Sequence, residues 1–172
     1  MNSPPLVGFV GYSDSGKTTL VTALIAHLSQ QGWRIGAVKH HRHTFEIDHE
    51  GKDSWRFTRA GARKTIITGP RQTALVERTE EQRPLDELAN EYLKGLDLIL
   101  VEGFKLATIP KIEVQRAELG RPLFCREENH DPDLIAVVSD RRLELDVPVF
   151  LRSDIPGLAD FICHHFNLRP AT

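Results

Sequence analysis

Cysteine is scarce in this chain, long apolar runs are missing, and neither sign of charge is in large excess. Each shortage removes a class of function. The two cysteines, Cys125 and Cys163, form neither a metal-type pattern nor a disulfide framework, so a reducing compartment is the simpler expectation. No stretch approaches the ~18 consecutive apolar residues of a membrane span. The N-terminus has no cationic segment followed by a sustained apolar one, and neither insertion nor export is expected. Lys and Arg number 22 against 24 Asp and Glu, a formal net charge of -2, so no overall basic field recruits nucleic acid. Repeats, low-complexity stretches and linkers are also missing. What remains is an ordinary globular composition, 40% hydrophobic and 27% charged over 172 residues. That length suits one domain, residues 1–172, able to bury a core without staples. A single cytoplasmic domain is expected.

The chain is organised around Gly11-Tyr12-Ser13-Asp14-Ser15-Gly16-Lys17-Thr18-Thr19, which has the spacing G-x-x-x-x-G-K-[ST] of a phosphate-binding loop. The apolar run Leu6–Val10 before it reads as a buried strand, and a helix follows at once. The chemistry needs these residue types. Gly11 and Gly16 let the backbone bend so that the N–H groups of Ser13, Asp14 and Ser15 can turn inward. The positive end of the helix, at Lys17, Thr18 and Thr19, faces the same anion. Lys17 can reach the β- and γ-phosphates, and the Thr18 hydroxyl can ligate magnesium.

Beyond the loop, Leu20, Leu24, Ile25 and Leu28 recur at helical spacing up to a cap at Gly32, and residues 33–39 form a second strand. Strand, loop, helix and strand open a doubly wound sheet, so the fold class expected is α/β with a mostly parallel sheet. Asp53-Ser54 can cap a short helix that Gly61 ends. Residues 64–68 and 73–76 read as two strands joined at Gly69-Pro70, and Pro84 opens a helix that Gly95 closes. Leu98–Val101 is the strongest strand. Strands follow at 111–114, 134–138 and 147–151, with Pro148 restricting the last to an edge or a strand start. A final helix is capped by Ser153 or Asp154. Residues 111–116 either lie inside the sheet or pair as an edge with a second subunit.

Glu102 ends the strongest strand as the acidic residue of a Walker B segment does, and is expected to face Thr18 and the metal. Asp53 and Asp48 are candidates for another magnesium contact, Asp53 competing with its role as a helix cap. Lys39 either adds a charge on the γ-phosphate or is a solvated strand end. Residues 39–53 hold four of the eight histidines, His40, His41, His43 and His49. Beside Arg42 they suit an anionic ligand or solvent better than a transition metal. Asp140, ending a later strand, can accept from the N1 and N2 donors of guanine or can begin a turn.

These segments together resemble the MobB family, the adapter proteins of molybdopterin-guanine dinucleotide biosynthesis. The resemblance is carried by the loop Gly11–Thr19, Lys39-His40-His41-Arg42-His43, Gly51-Lys52-Asp53-Ser54 with Ala60-Gly61-Ala62, Leu96 to Lys105, Lys111-Ile112, Ala136 to Asp140, and Gly157 to Asp160. It implies a three-layer P-loop NTPase fold, GTP and Mg2+ as cofactors, weak GTPase activity, a homodimer, and work beside the guanylyltransferase MobA, which joins GMP to molybdopterin. It further implies that Lys17, Thr18 and Glu102 serve phosphate and magnesium and strengthens Asp140 as a base contact. The loop from His40 to His49 and Lys105 would face the partner or the molybdopterin phosphate. Asp14 stands where the related MinD-like proteins place a second lysine. No glutamine or arginine is evident as a water-orienting or charge-stabilising group. A small-molecule kinase using ATP, with Arg116 to Arg126 as a poor lid, and a non-catalytic nucleotide-binding module are the rival readings.

Overall fold

Strand β1 (Leu6–Val10) runs through the middle of a parallel sheet because it has almost nothing polar to offer solvent: Val7, Phe9 and Val10 are fully buried. The structure, a computed structural model, describes residues 3–41, 43–126 and 130–169. Contacts divide the chain into two units, Met1–His40 with Ala89–Thr172, and His41–Leu88.

In the first unit β1 is joined by β2 (Ile35–Lys39), β5 (Leu98–Glu102), β6 (Lys111–Val114), β7 (Leu134–Ser139) and β8 (Val149–Leu151) in the order β2-β5-β1-β6-β7-β8. Every pairing in this sheet is parallel. Parallel strands are covered on both faces, which explains the unbroken apolar run Leu98–Val101. One face carries α1 (Lys17–Gln30) and α4 (Ile155–His165), whose Leu20, Leu24, Leu28, Leu158 and Ile162 share a core with Val7, Phe9 and Leu100. Burying such side chains contributes about 1.5–3 kcal/mol each. Elsewhere, Val10, Leu134 and Val137 are met by Leu123, Cys125 and residues 143–149, an irregular covering.

Local signals end the elements as their chemistry requires. Gly32 stands at φ 88° beyond α1, and Trp33 donates to the Leu28 carbonyl at 3.1 Å, so β2 begins at Ile35, two residues later than the apolar pattern suggests. Asp154, not Ser153, caps α4 by accepting from the Gly157 N–H at 3.0 Å. Strand β6 is not a free edge: β1 and β7 flank it, so the subunit-pairing alternative for residues 111–116 is overturned. The sheet edges are β2 and β8.

The second unit holds α2 (Asp53–Arg59) and an antiparallel hairpin of β3 (Lys64–Thr68) and β4 (Thr73–Glu77). The unit boundary falls within α3 (Leu85–Tyr92). Lys64 and Glu77, opposite each other in the hairpin, pair at 2.9 Å. Asp53 is not the cap of α2. Lys52 occupies that position without a side-chain bond, and Asp53 lies in the first turn, where its charge complements the helix dipole. Among the described residues no helix is long and apolar enough to cross a membrane.

Candidate nucleotide site

The loop between β1 and α1 takes a path open only to particular residues. Gly11 has φ 139°, and a Cβ there would lie 2.5 Å from the Val114 carbonyl oxygen. Gly16, at φ 88°, is the N-cap of α1 and supplies no side chain to cap it. The amides of the first turn, at Lys17, Thr18 and Thr19, therefore keep the unpaired donors of a helix start. Asp14 adopts φ 60°, a conformation that aspartate tolerates better than most residues. Ser13, Asp14, Thr18 and Thr19 are exposed, whereas Ser15 is buried.

Lys17 folds back over its own loop, donating to the Tyr12 carbonyl at 2.6 Å and approaching the Ser15 hydroxyl at 3.5 Å. Burial pushes its pKa below the ordinary lysine value. Lys105 and Lys39 push the same way, against Glu102 and Asp14.

Parallel pairing sets Glu102 opposite Phe9 on one side and Lys39 on the other, so the ends of β5 and β2 bring Glu102 and Lys39 to the start of α1, where Thr18 lies. The Thr18 hydroxyl lies 2.9 Å from each Glu102 carboxylate oxygen. Lys39 Nζ stands 3.3 Å from Glu102 Oε1 and 3.4 Å from Thr18 Oγ1. A hydroxyl beside a carboxylate is a hard oxygen donor set, which fits magnesium held by few protein ligands and several waters.

The turn after Glu102 is tightly built. A Cβ on Gly103, at φ 96°, would meet the His40 Cβ at 2.9 Å, and His40 donates its N–H to the Glu102 carbonyl at 2.8 Å. Phe104 holds φ 49°, a left-handed conformation costing on the order of 1–3 kcal/mol in a bulky residue. Its ring lies 4.6 Å from the His40 imidazole. Lys105 then sits 4.3 Å above the Phe124 ring and 5.4 Å from that of Tyr12, while Arg121 lies 4.9 Å from Tyr12. Phe124 is held because the buried Glu113 carboxylate accepts from the N–H groups of Phe124 at 2.6 Å and Cys125 at 2.9 Å. Burial, with Glu113 and Asp131 nearby, pushes the Cys125 thiol up to about 12.

Asp140, exposed at the end of β7, accepts the Ala117 N–H at 3.1 and 3.2 Å and so also anchors a one-turn 3-10 helix, Ala117–Leu119. Arg152, which no sequence pattern singled out, follows β8 and donates from its guanidinium to the Ser15 carbonyl.

Asp48, Asp53, His41, His43 and His49 belong to the second unit. Asp53 is 87% exposed in its side chain and stands 4.0 Å from Arg56. Asp48 accepts the His49 N–H at 2.9 Å through one oxygen, and its other oxygen is buried with no hydrogen-bond partner among the described residues. His41 lies beside Phe45, and His43 and His49 are exposed. Arg42 lies outside the described residues. Among those residues no group of three or more His, Cys, Asp or Glu side chains is disposed to hold a metal.

The family model for MobB, molybdopterin guanine dinucleotide synthesis protein B, matches residues 6–140. A molybdopterin-guanine dinucleotide biosynthesis adapter protein from Haemophilus influenzae is 41% identical over 170 residues, spanning 96% of this chain and 93% of its own. The Escherichia coli protein of the same description is 43% identical over 162 residues, spanning 92% and 91%. The crystal structure of Bacillus subtilis MobB superimposes with a TM-score of 0.74 at 30% identity, covering 97% of this chain and 99% of that one. With its parallel sheet, flanking helices and phosphate loop, the chain has the α/β P-loop NTPase fold and belongs to the MobB family of molybdopterin-guanine dinucleotide biosynthesis adapters.

Proposed function

We propose that this chain is a GTP-binding adapter in molybdopterin guanine dinucleotide biosynthesis, working beside the MobA guanylyltransferase and hydrolysing GTP slowly at most. The observation that carries the nucleotide part is the convergence of Thr18, Glu102 and Lys39 at the start of α1 beside Lys17. The relatives named as adapters supply the pathway.

On this reading the phosphates lie along the loop amides and the first turn of α1. Lys17 exchanges the Tyr12 carbonyl for the β- and γ-phosphates, a stronger acceptor for a cation. Thr18 and Glu102 hold Mg2+, which neutralises phosphate charge when bound. Lys39 balances the Glu102 carboxylate and adds positive charge on the γ side. Asp140 has acceptor lone pairs beyond the bond from Ala117, and these suit the paired N–H donors of guanine. Lys105, held on Phe124, presents a cation toward the partner or the molybdopterin phosphate. Two copies act together, through a surface other than β6.

Reconstitution with purified MobA tests the pathway. Wild-type chain plus GTP should stimulate formation of the dinucleotide, and Lys17→Ala should abolish the stimulation. No effect of the wild-type chain, together with transfer of phosphate from ATP to a small acceptor, would replace the adapter with the kinase.

A further inference from the structure

Arg152 sits at the nucleotide loop although it comes from the far edge of the sheet. Its backbone N–H donates to the Ser139 carbonyl at 3.2 Å, which fixes the residue at the ends of β7 and β8. From there the side chain crosses to the loop, donates to the Ser15 carbonyl, and fills the space a Cβ on Gly16 would take. Gly16 is thus glycine for a reason beyond its φ of 88°: the guanidinium needs the room. Among the described residues Arg152 forms no ion pair, and its planar fork of five donors has far more capacity than one carbonyl can use. Such a fork matches a phosphate in shape as well as charge.

Lys17 and Arg152 therefore stand alike, each donating to a carbonyl of the same loop, Tyr12 for one and Ser15 for the other. A backbone carbonyl is a weaker partner for a cation than a phosphate oxygen. Sheet order separates their surroundings. Lys39 and Glu102 come from β2 and β5 on one side of β1, whereas Arg152 and Asp140 come from β8 and β7 on the other. Ser139 pairs with Leu151, so Asp140 and Arg152 are the next residues of neighbouring strands.

We infer that Arg152 is a second phosphate-binding cation of this loop, contacting the α- or β-phosphate of a nucleoside di- or triphosphate between the base contact and Gly16. This rests on the nucleotide reading above. It assigns to Arg152 the part of the ligand that GDP and GTP share, and leaves the γ-phosphate to Lys17 and Lys39.

Titration of wild type, Arg152→Met and Arg152→Lys with GTP and with GDP, in magnesium at several salt concentrations, tests it. Arg152→Met should weaken both nucleotides by the same factor, about tenfold or more, the loss of a charge-assisted bond. Its affinity should also fall less steeply with salt than that of wild type, since one charge pair is gone. Arg152→Lys should recover part of the loss and the steeper salt dependence. Full affinity in Arg152→Met, or weakened affinity with an unchanged salt slope, would overturn the inference, the second outcome marking a purely structural tie between β8 and the loop. If wild type binds neither nucleotide, the nucleotide reading falls first and the inference with it.

Discussion

The hydroxyl of Thr18 stands 2.9 Å from both oxygens of Glu102, residues that are 84 positions apart in sequence and brought together by the parallel pairing of β1 with β5. A single hydroxyl hydrogen cannot satisfy two carboxylate oxygens, so the pair keeps acceptor capacity for a cation. Replacing Glu102 by Gln keeps the shape and removes the charge. GTP affinity in magnesium should then fall by about tenfold or more, while affinity measured in EDTA should change little. Equal losses with and without magnesium would mean that Glu102 does not serve the metal.

If the loop binds phosphate as proposed, Lys17 should couple nucleotide binding to protons. Burial lowers its pKa in the free protein, so the charged form is disfavoured there and the fold gains stability as pH rises through the lowered value toward the ordinary 10.5. A bound phosphate favours the charged form and raises the pKa again. Affinity should therefore decline as pH rises through the lowered value, and binding in that window should take up protons. Calorimetry at alkaline pH in buffers of different ionisation enthalpy should detect the uptake in wild type. Lys17→Arg, charged throughout, should show none.

Glu113 supports the site from beneath. It is 1% exposed and accepts two backbone N–H groups, from Phe124 and Cys125. Glu113→Ala would leave both donors unpaired, that of Cys125 buried and that of Phe124 partly so, a loss on the order of 3 kcal/mol in urea unfolding. Glu113→Gln, which can still accept one of them, should lose less. A stable Glu113→Ala variant would show that another group or water satisfies residues 124 and 125.

Much of this arrangement is legible along the chain because it is local. The glycine spacing, the apolar run before it and the helical periodicity after it define β1, the loop and α1, and an acidic residue closing Leu98–Val101 points to Glu102. What depends on strand order is not legible. In β6, Lys111 and Glu113 alternate with apolar residues, as they would at an edge, yet both are buried. Lys111 is compensated by Asp131 at 2.9 Å, and Glu113 by the amides of Phe124 and Cys125 in the irregular segment that follows. Arg152 follows a three-residue strand and carries no motif; only the sequence of strands from β1 to β8 brings it to Ser15. Asp53 stands where a cap is usual, but the helix begins one residue earlier than that role requires.

Guanine selectivity tests the central claim most directly. Calorimetric titration with GTP and ATP, each in magnesium, should be made on wild type and on Asp140→Asn. That variant can still accept from Ala117 but would oppose an amide donor to the guanine donors. Wild type should bind GTP more tightly than ATP, and the substitution should erase the difference while leaving ATP affinity and thermal stability near those of wild type. Equal affinity of wild type for the two nucleotides would contradict a guanine site at Asp140 and bring the ATP-dependent kinase forward.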